Sequence, residues 1–457
     1  MNDQHKIEAV VGRAAERGLS HVSFGMFDVH GHFAVKRVAA ANLAKAMTEG
    51  TNMVAALAMS AAPSGTAMVA SSPLADPDLG FNDGVLLMDA DSCRDFPLED
   101  DGGGLLLLGE FIDVTGEYCA RHQLRRELSR FESLGLGTYG AFELECVALD
   151  ETLASLGRTS VAALRVRGGL ERPYQLVADP QMGDYLRTLV RACEVMEVGI
   201  DAQHAEFMHL IETSLRPQRG MRIADNAALY KNVAKYLAQQ QGFLVSFMAR
   251  FSHQHQGCGA HINLSLRRLA DDAPAFYDDS APERLSATAR HFVAGLHAHL
   301  PELFLLLAPN LNSYKRFSPG LFTPINNSWG IDNKTVAFRV VNHSPATARV
   351  EVRIAGADVS AHLGLLAVLL AGRRGIEQRL DAPPPVIGNG WALEDLPGPE
   401  FPLQFAAAID AFERSALARE MLGDTFVDAF VGDRRWQIER YERSVTDWEL
   451  QMFGDGA

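Results

Sequence analysis

The residues best suited to chemistry are acids that recur on strand-like runs. FELE, residues 142–145, sets Glu143 and Glu145 two apart, and the period-two alternation of a strand turns both to one face. Two like charges side by side repel, so burying them requires a cation nearby or a proton on one carboxylate. HAEFMHLIETSL, 204–215, adds Glu206 and Glu212, six apart and so on one face of an extended run, with His204 beside them. RVEVR, 349–353, alternates Arg349, Glu351 and Arg353, while QGCGAHINLSL, 256–266, puts His261, Asn263 and Ser265 on one face after Gly257 and Gly259. Five carboxylates and one histidine on separate strands match the oxygen-rich ligation of Mg²⁺ or Mn²⁺. NSYKRFSPGLFTP, 312–324, adds the adjacent cations Lys315 and Arg316 and, soon after them, the apolar pair Leu321 and Phe322.

Elements must hold these residues, and the 457-residue chain has the length for two domains. Hydrophobic content of 47% and charged content of 22% are ordinary for a globular protein. No apolar run reaches the roughly 18 residues of a membrane span. The start, MNDQHKIEAV, has no secretory pattern, which gives a cytoplasmic expectation. Five scattered cysteines without CxxC spacing exclude a disulfide framework or thiolate zinc site, and a net charge of −15 argues against nucleic acid. Strand-like HVSFGMF and small-residue segments make residues 1–104 a small α/β domain, with LEDDGGG, 98–104, as a linker and a boundary near 105. In 105–457, LLLLGEFIDV reads as a buried strand. Helical periodicity predicts helices over 181–197, 223–241, 284–300 and 359–379, and a helical tail over 402–449. Strands are expected at 138–149, 243–250, 260–266, 336–341 and 349–354. Strand runs mostly alternate with helices rather than forming a βαβ series with GxGxxG, and there is no Walker A sequence, so phosphate chemistry would need metals rather than a glycine loop.

The order of these motifs, ExE, then E…E, then GxGxHxxxS, then NSYKR, then R-x-E-x-R, resembles the glutamine synthetase superfamily. SPGLFTPINNSWGIDNKT and SVTDWE resemble its γ-glutamylamide ligase branch, whose members join glutamate to an amine larger than ammonia. The resemblance implies an α+β protein: a small N-terminal β-grasp domain, then a catalytic domain with a curved antiparallel sheet flanked by helices. It further implies a dodecamer of two hexameric rings, with active sites between subunits. ATP and two or three Mg²⁺ or Mn²⁺ ions would serve as cofactors, with L-glutamate and a small amine as partners. One metal would be held by Glu145, Glu206 and Glu212, a second by Glu143, His261 and Glu351. Arg316 matches the arginine that contacts glutamate, Arg339 the one near the transferring phosphoryl group, and Arg353 the one near the γ-carboxylate. Gly257 falls in the substrate motif, and Asn263, Ser265, Lys334 and Arg349 on the nucleotide side.

This chain also departs from the family pattern. FMHLI replaces the usual Gly-Pro-Gly-Gln turn between Glu206 and Glu212, leaving His209 free to assist or replace a ligand. Asn333-Lys334 stands for Asn-Arg, exchanging a planar donor for a point charge. Phe322 stands where ammonia-using relatives place a flap glutamate, and ALAMSAA, 56–62, carries no acid where they have an aspartate. An ammonium ion without counter-charges there would lose several kcal/mol of solvation, on the order of the buried-ion penalty. An apolar amine would instead gain roughly 25 cal/mol per Å² against Leu321, Phe322 and the Ala/Met loop. A short alkylamine such as isopropylamine, or an arylamine such as aniline, is therefore expected. A polyamine or ethanolamine ligase, a true glutamine synthetase and a non-catalytic homologue are the alternatives. The loop GNGWALEDLPG has Trp391 and no tyrosine, so adenylylation there is not expected.

Overall fold

The computed structural model describes residues 3–456 apart from 61, 66, 67, 70, 99–102, 169–171, 178, 319 and 394–396. The first sheet contains β1 (His21–Phe27), β2 (Phe33–Ala39), β3 (Thr51–Val54), β4 (Asp83–Phe96) and β5 (Gly104–Phe111). Their order is β2-β1-β5-β4-β3, with β1 and β5 parallel and the other neighbours antiparallel. Helices Gln4–Glu16 and Leu43–Glu49 pack on this sheet, completing a β-grasp pattern. Every residue of β5 is buried, as its near-continuous apolar run requires of a strand covered on both faces.

The expected boundary near 105 falls within that strand. A division near 105 would cut β5 from β1 and β4, with which it pairs, so the first sheet extends to Phe111. LEDDGGG, expected as a linker, falls between antiparallel β4 and β5, and its residues 99–102 lie outside the described residues.

The second sheet comprises β6 (Leu136–Leu149), β7 (Ile200–Ala205), β8 (Leu210–Leu215), β9 (Gln218–Arg219), β10 (Leu244–Ser246), β11 (Ala260–Arg268), β12 (Trp329–Ile331), β13 (Phe338–Val341) and β14 (Arg349–Val352). It curls through the order β12-β13-β14-β11-β6-β8-β7, with β9 and β10 also pairing with β6. Its described pairings are antiparallel except β12 with β13. The expected helices occur as Pro180–Val195, Arg222–Gln240, Ala287–Leu303 and Ala361–Gln378, and the tail forms four helices between Phe405 and Phe453. Ser286 starts the third of these by accepting the Ala289 N–H, which is why it begins later than periodicity suggests.

Helix Ala361–Gln378 is buried along most of its length and lies directly on Ala287–Leu303. A Cβ at Gly295 would sit 2.2 Å from the Ala371 carbonyl oxygen, and one at Gly375 2.0 Å from that of His291, so the two backbones meet only through glycine.

Between the two sheets lies a closed ionic network. Arg121, on helix Ala120–Ser133, donates to Asp89 at 2.7 Å, Glu110 at 3.2 Å and Asp225 at 2.9 Å. Arg125 reaches Asp89 at 2.7 Å and Glu110 at 2.6 Å, and His362 lies 2.9 Å from Asp225. Burial pushes the Glu110 carboxyl up, but His122, Arg121 and Arg125 together outweigh it and bring it down to about 2. Among the described residues no helix is long and apolar enough to cross a membrane.

Candidate active site

The register of the second sheet lays the chemistry-bearing residues across one face. His204 of β7 stands opposite Glu212 of β8, and Glu212 opposite Glu145 of β6. Glu143 of β6 faces His261 of β11, Asn263 of β11 faces Glu351 of β14, and Glu351 faces Arg339 of β13. Six strands thus contribute to one belt, because alternation sends these side chains out of the sheet on the same side. Above it lies a cavity of about 760 Å³, lined by all six expected ligand residues together with Gly257, Leu321, Phe322, Lys334, Arg339 and Arg353.

Two groups of ligand atoms lie within 4.8 Å of one another. One is the expected set of Glu143, His261 and Glu351, with His261 Nδ1 at 3.5 Å from Glu143 and 3.3 Å from Glu351. The other is His204, Glu206 and Glu212, which differs from the expected Glu145, Glu206 and Glu212. Glu145 lines the cavity, but its carboxylate accepts the Gly259 backbone N–H. His209 does not join either group. The stretch expected to be one strand folds back at the turn Phe207–His209, where His209 has φ of 72° and its ring lies 6.0 Å from that of His255. Glu206 and Glu212 therefore meet across a hairpin rather than along one strand.

The electrostatics of the belt ask for a cation. Burial and the charges of Glu145, Glu143, Glu206 and Glu351 push the Glu212 carboxyl up to about 8. Glu351 has the opposite fate: burial raises it, but His261, Arg353 and Arg339 prevail and it falls to about 2. A set of carboxylate oxygens with one imidazole in each group, short of positive charge at the Glu212 end, fits a divalent ion of the Mg²⁺ or Mn²⁺ kind.

The arginines divide. Arg339 donates to Glu351 at 2.8 Å and to Asp332 at 2.9 Å, while Arg353 donates to Glu351 and stands 5.8 Å from the centre of the Phe322 ring. Both edge the cavity. Arg316, expected to touch glutamate, does not line it. Its buried guanidinium donates to the carbonyls of Ile354 at 3.0 Å and Arg353 at 3.3 Å, behind Gly257 and Gly259. A Cβ on Gly257 would lie 2.6 Å from Arg316 Cγ, so that position is held to glycine by close approach. Lys334 is exposed at the rim. Asn263, Ser265 and Arg349 continue the same face of the sheet without lining the cavity, with Arg349 donating to Asn263 at 2.8 Å and Asn263 to Glu143 at 3.0 Å.

The apolar wall differs from the one expected. Ala58, Met59 and Ala62 of ALAMSAA are buried in the protein's interior, with the Val29 N–H donating to the Ala58 carbonyl, and they do not line the cavity. Residue 61 of that loop lies outside the described residues. Leu321 and Phe322 are joined instead by Phe207, Leu210, Ile325 and Trp391. Phe322 meets the Trp391 ring edge-on, centroids 5.1 Å apart. Sequence reasoning missed Tyr174, Phe207 and Trp391 as site residues; for Phe207 the available signal was its place beside Glu206 in the segment that departs from the family pattern.

Residues 117–453 match the family model described as glutamine synthetase, catalytic domain. The chain is 30% identical to type-1 glutamine synthetase 2 of Dictyostelium discoideum, over 82% of this chain and 72% of the relative. It is 28% identical to glutamate–isopropylamine ligase of a Pseudomonas species, over 83% of each. It is also 31% identical to γ-glutamylethanolamide synthetase GlnA4 of Streptomyces coelicolor, over 82% of this chain and 79% of the relative. The protein belongs to the glutamine synthetase family and is an ATP-dependent carbon–nitrogen ligase.

Proposed function

We propose that the protein joins the γ-carboxylate of L-glutamate to a small, mainly apolar primary amine, giving a γ-glutamylamide, ADP and phosphate. The observation that carries this reading is the composition of the cavity, in which a charged belt is joined by the apolar residues Leu321, Phe322, Phe207, Leu210, Ile325 and Trp391. The ATP γ-phosphoryl group passes to the γ-carboxylate, forming γ-glutamyl phosphate with loss of ADP. The neutral amine nitrogen then attacks the acyl carbon, the C–O bond to phosphate breaks, and the nitrogen gives up a proton.

Glu143, His261 and Glu351 would hold one divalent ion and the carboxylates at the Glu212 end another; bound ions would offset the mutual repulsion of phosphates and carboxylate. Arg339 and Arg353, both anchored on Glu351, supply fixed positive charge where negative charge gathers during phosphoryl transfer. Lys334 adds a mobile cation at the rim. Asn263, Ser265 and Arg349 extend towards the nucleotide side, and Gly257 leaves backbone open to the glutamate. Arg316 acts behind this surface, keeping the Arg353–Ile354 backbone in place. The apolar wall excludes water from the acyl phosphate and favours an uncharged amine with hydrocarbon substituents.

The closest competing reading, ammonia as the nucleophile, is separated by one experiment. Purified protein is incubated with ATP, Mg²⁺ or Mn²⁺, L-glutamate and a panel containing ammonia, isopropylamine, aniline, ethanolamine and a polyamine, with phosphate release and product mass measured. The expected result is preference for isopropylamine or aniline. Preference for ammonia or for the polyamine overturns the amine assignment, and absence of phosphate release with every amine overturns ligase turnover by this chain. A homo-dodecamer, checked by the mass of the native assembly, and a cytoplasmic location, checked by cell fractionation, belong to the same proposal.

A further inference from the structure

We infer that Arg250 is a positioning residue for the amine end of the site. It bolts the segment that carries Leu321 and Phe322 to the loop that ends in Gln256 and Gly257, and so keeps the apolar wall standing before an amine arrives. This deepens the reading above, on which that wall meets the amine, and gives a role to a residue that does not itself line the cavity.

Two segments reach the cavity side by side. One is the loop between β10 and β11, closed at its foot where the Cys258 N–H donates to the Ala249 carbonyl at 2.8 Å. The other runs from the helical turn Leu311–Arg316 through Ser318 to Phe322. Among the described residues no backbone hydrogen bond joins residues 250–257 to residues 311–322, so side chains must hold them together. Arg250 stands at the foot of the loop and binds both segments. The Asn312 side-chain amide accepts its N–H at 3.0 Å and donates to its carbonyl at 2.8 Å, two ladder-like bonds from one side chain. Its guanidinium then spans the gap. Nη1 donates to the Lys315 carbonyl at 2.9 Å and to Ser318 Oγ at 3.2 Å, Nη2 to the His253 carbonyl at 3.0 Å, and Nε to the Ser252 carbonyl at 3.3 Å.

These acceptors are all uncharged, and burial alone acts on the guanidinium, lowering its pKa. The planar fork of Arg250 therefore serves geometry rather than the neutralising of an acid. The fastening reaches the cavity at Gln256, which lines it and whose Oε1 accepts the Phe322 N–H at 3.0 Å. Ser318, held by Arg250, and Phe322, held by Gln256, bracket the turn that presents Leu321. The turn itself is weakly held: the Leu321 N–H reaches the Ser318 carbonyl at 3.3 Å, and Gly320 sits at φ of 84°, where glycine is free and other residues are not.

Release of this wall would admit water to γ-glutamyl phosphate. The water oxygen would attack the acyl carbon, the C–O bond to phosphate would break, and the water would give up a proton, leaving glutamate and phosphate without an amide. The test uses full-length protein and two readouts. Amide exchange of residues 318–323 is followed by hydrogen–deuterium mass spectrometry without substrates. Product formed per phosphate released is measured with ATP, Mg²⁺, L-glutamate and hydroxylamine as a small neutral nucleophile. Arg250→Lys keeps the charge and loses the fork. It should raise both the exchange at 318–323 and the KM for hydroxylamine by roughly tenfold, lower the product per phosphate, and leave the KM for ATP unchanged. Gln256→Leu, which removes the acceptor at the cavity end, should act in the same direction by roughly fivefold. The double variant should fall short of the two effects multiplied together, because both act through one fastening.

Wild-type exchange at 318–323 in Arg250→Lys overturns the inference, as does a fall in turnover with product per phosphate unchanged, which marks general loosening instead. Far-ultraviolet circular dichroism separates release of the wall from misfolding; were Arg250→Lys to unfold, Ser318→Ala, which removes one acceptor of Arg250, decides by the same two readouts. Neither readout depends on which amine the protein prefers, and the exchange needs no turnover, so failure of the amine reading leaves this inference decided on its own.

Discussion

The protein contains two dense arrays of buried charge, and they are tuned in opposite directions. At the junction of the sheets, Arg121 and Arg125 meet Asp89, Glu110 and Asp225, and despite burial Glu110 is driven down to about 2. On the second sheet, Glu143, Glu145, Glu206 and Glu212 share one end of the cavity, and burial plus their mutual repulsion drives Glu212 up to about 8. The first array is complete within the chain and serves as a joint. The second has an excess of acid at one end, the mark of a place prepared for a positively charged visitor.

This contrast can be broken at several points. Arg121→Met leaves Asp89, Glu110 and Asp225 without their central cation, and should cost about 3–5 kcal/mol in denaturant unfolding, the usual loss when one partner of a buried ion pair is removed. Metal affinity of the folded variant should stay the same, since Arg121 lines no part of the cavity. Next in size is the acid limb of stability. Because the folded-state Glu110 carboxyl is depressed from 4.5 to about 2, its contribution of about 3 kcal/mol is present above pH 4.5 and is lost as pH falls through about 2. Unfolding midpoints measured across that window should show this slope in the wild type and a flatter one in Arg121→Met.

The cavity array should respond to ions where the junction does not. Mg²⁺ or Mn²⁺ at a hundredfold excess over Kd should stabilise the folded protein by about 2.7 kcal/mol per site. A chelator should reverse the shift, and Glu351→Gln should reduce it. The smallest effect lies at the apolar wall. Phe322→Ala removes a half-exposed ring from beside Trp391, and should cost about 1 kcal/mol, or roughly a fivefold rise in KM for an alkylamine, with little change for ammonia.

How far the sequence revealed this arrangement depends on the range over which its signals act. The common face of Glu143, Glu145, His261 and Glu351 was legible because each sits in an uninterrupted strand, where alternation sets which side chains share a face. The hairpin at Phe207–His209 was not, since an apolar residue on either side of a histidine reads as continuing strand. The sheet to which β5 belongs was not legible for a related reason: a row of leucines announces burial but not which sheet does the burying. Arg316 was expected at the substrate from the resemblance of NSYKR to the family motif; the partners its guanidinium has here are backbone carbonyls, which leave no trace in a sequence. Tyr174 and Trp391 reach the cavity from loops far apart in the chain, and no local pattern links them.

Arg316 has a bearing on any attempt to redesign the enzyme. It sits six residues before Phe322 in the segment that supplies the apolar wall, and its guanidinium grips the end of the strand that carries Glu351 and Arg353. The loop that carries Leu321 and Phe322 is therefore fastened to the end of the strand that carries Glu351. A library restricted to positions 320–325 preserves that fastening, whereas grafting the whole segment from a relative transfers the clasp as well, and with it the placement of the arginine and carboxylate at the reacting end.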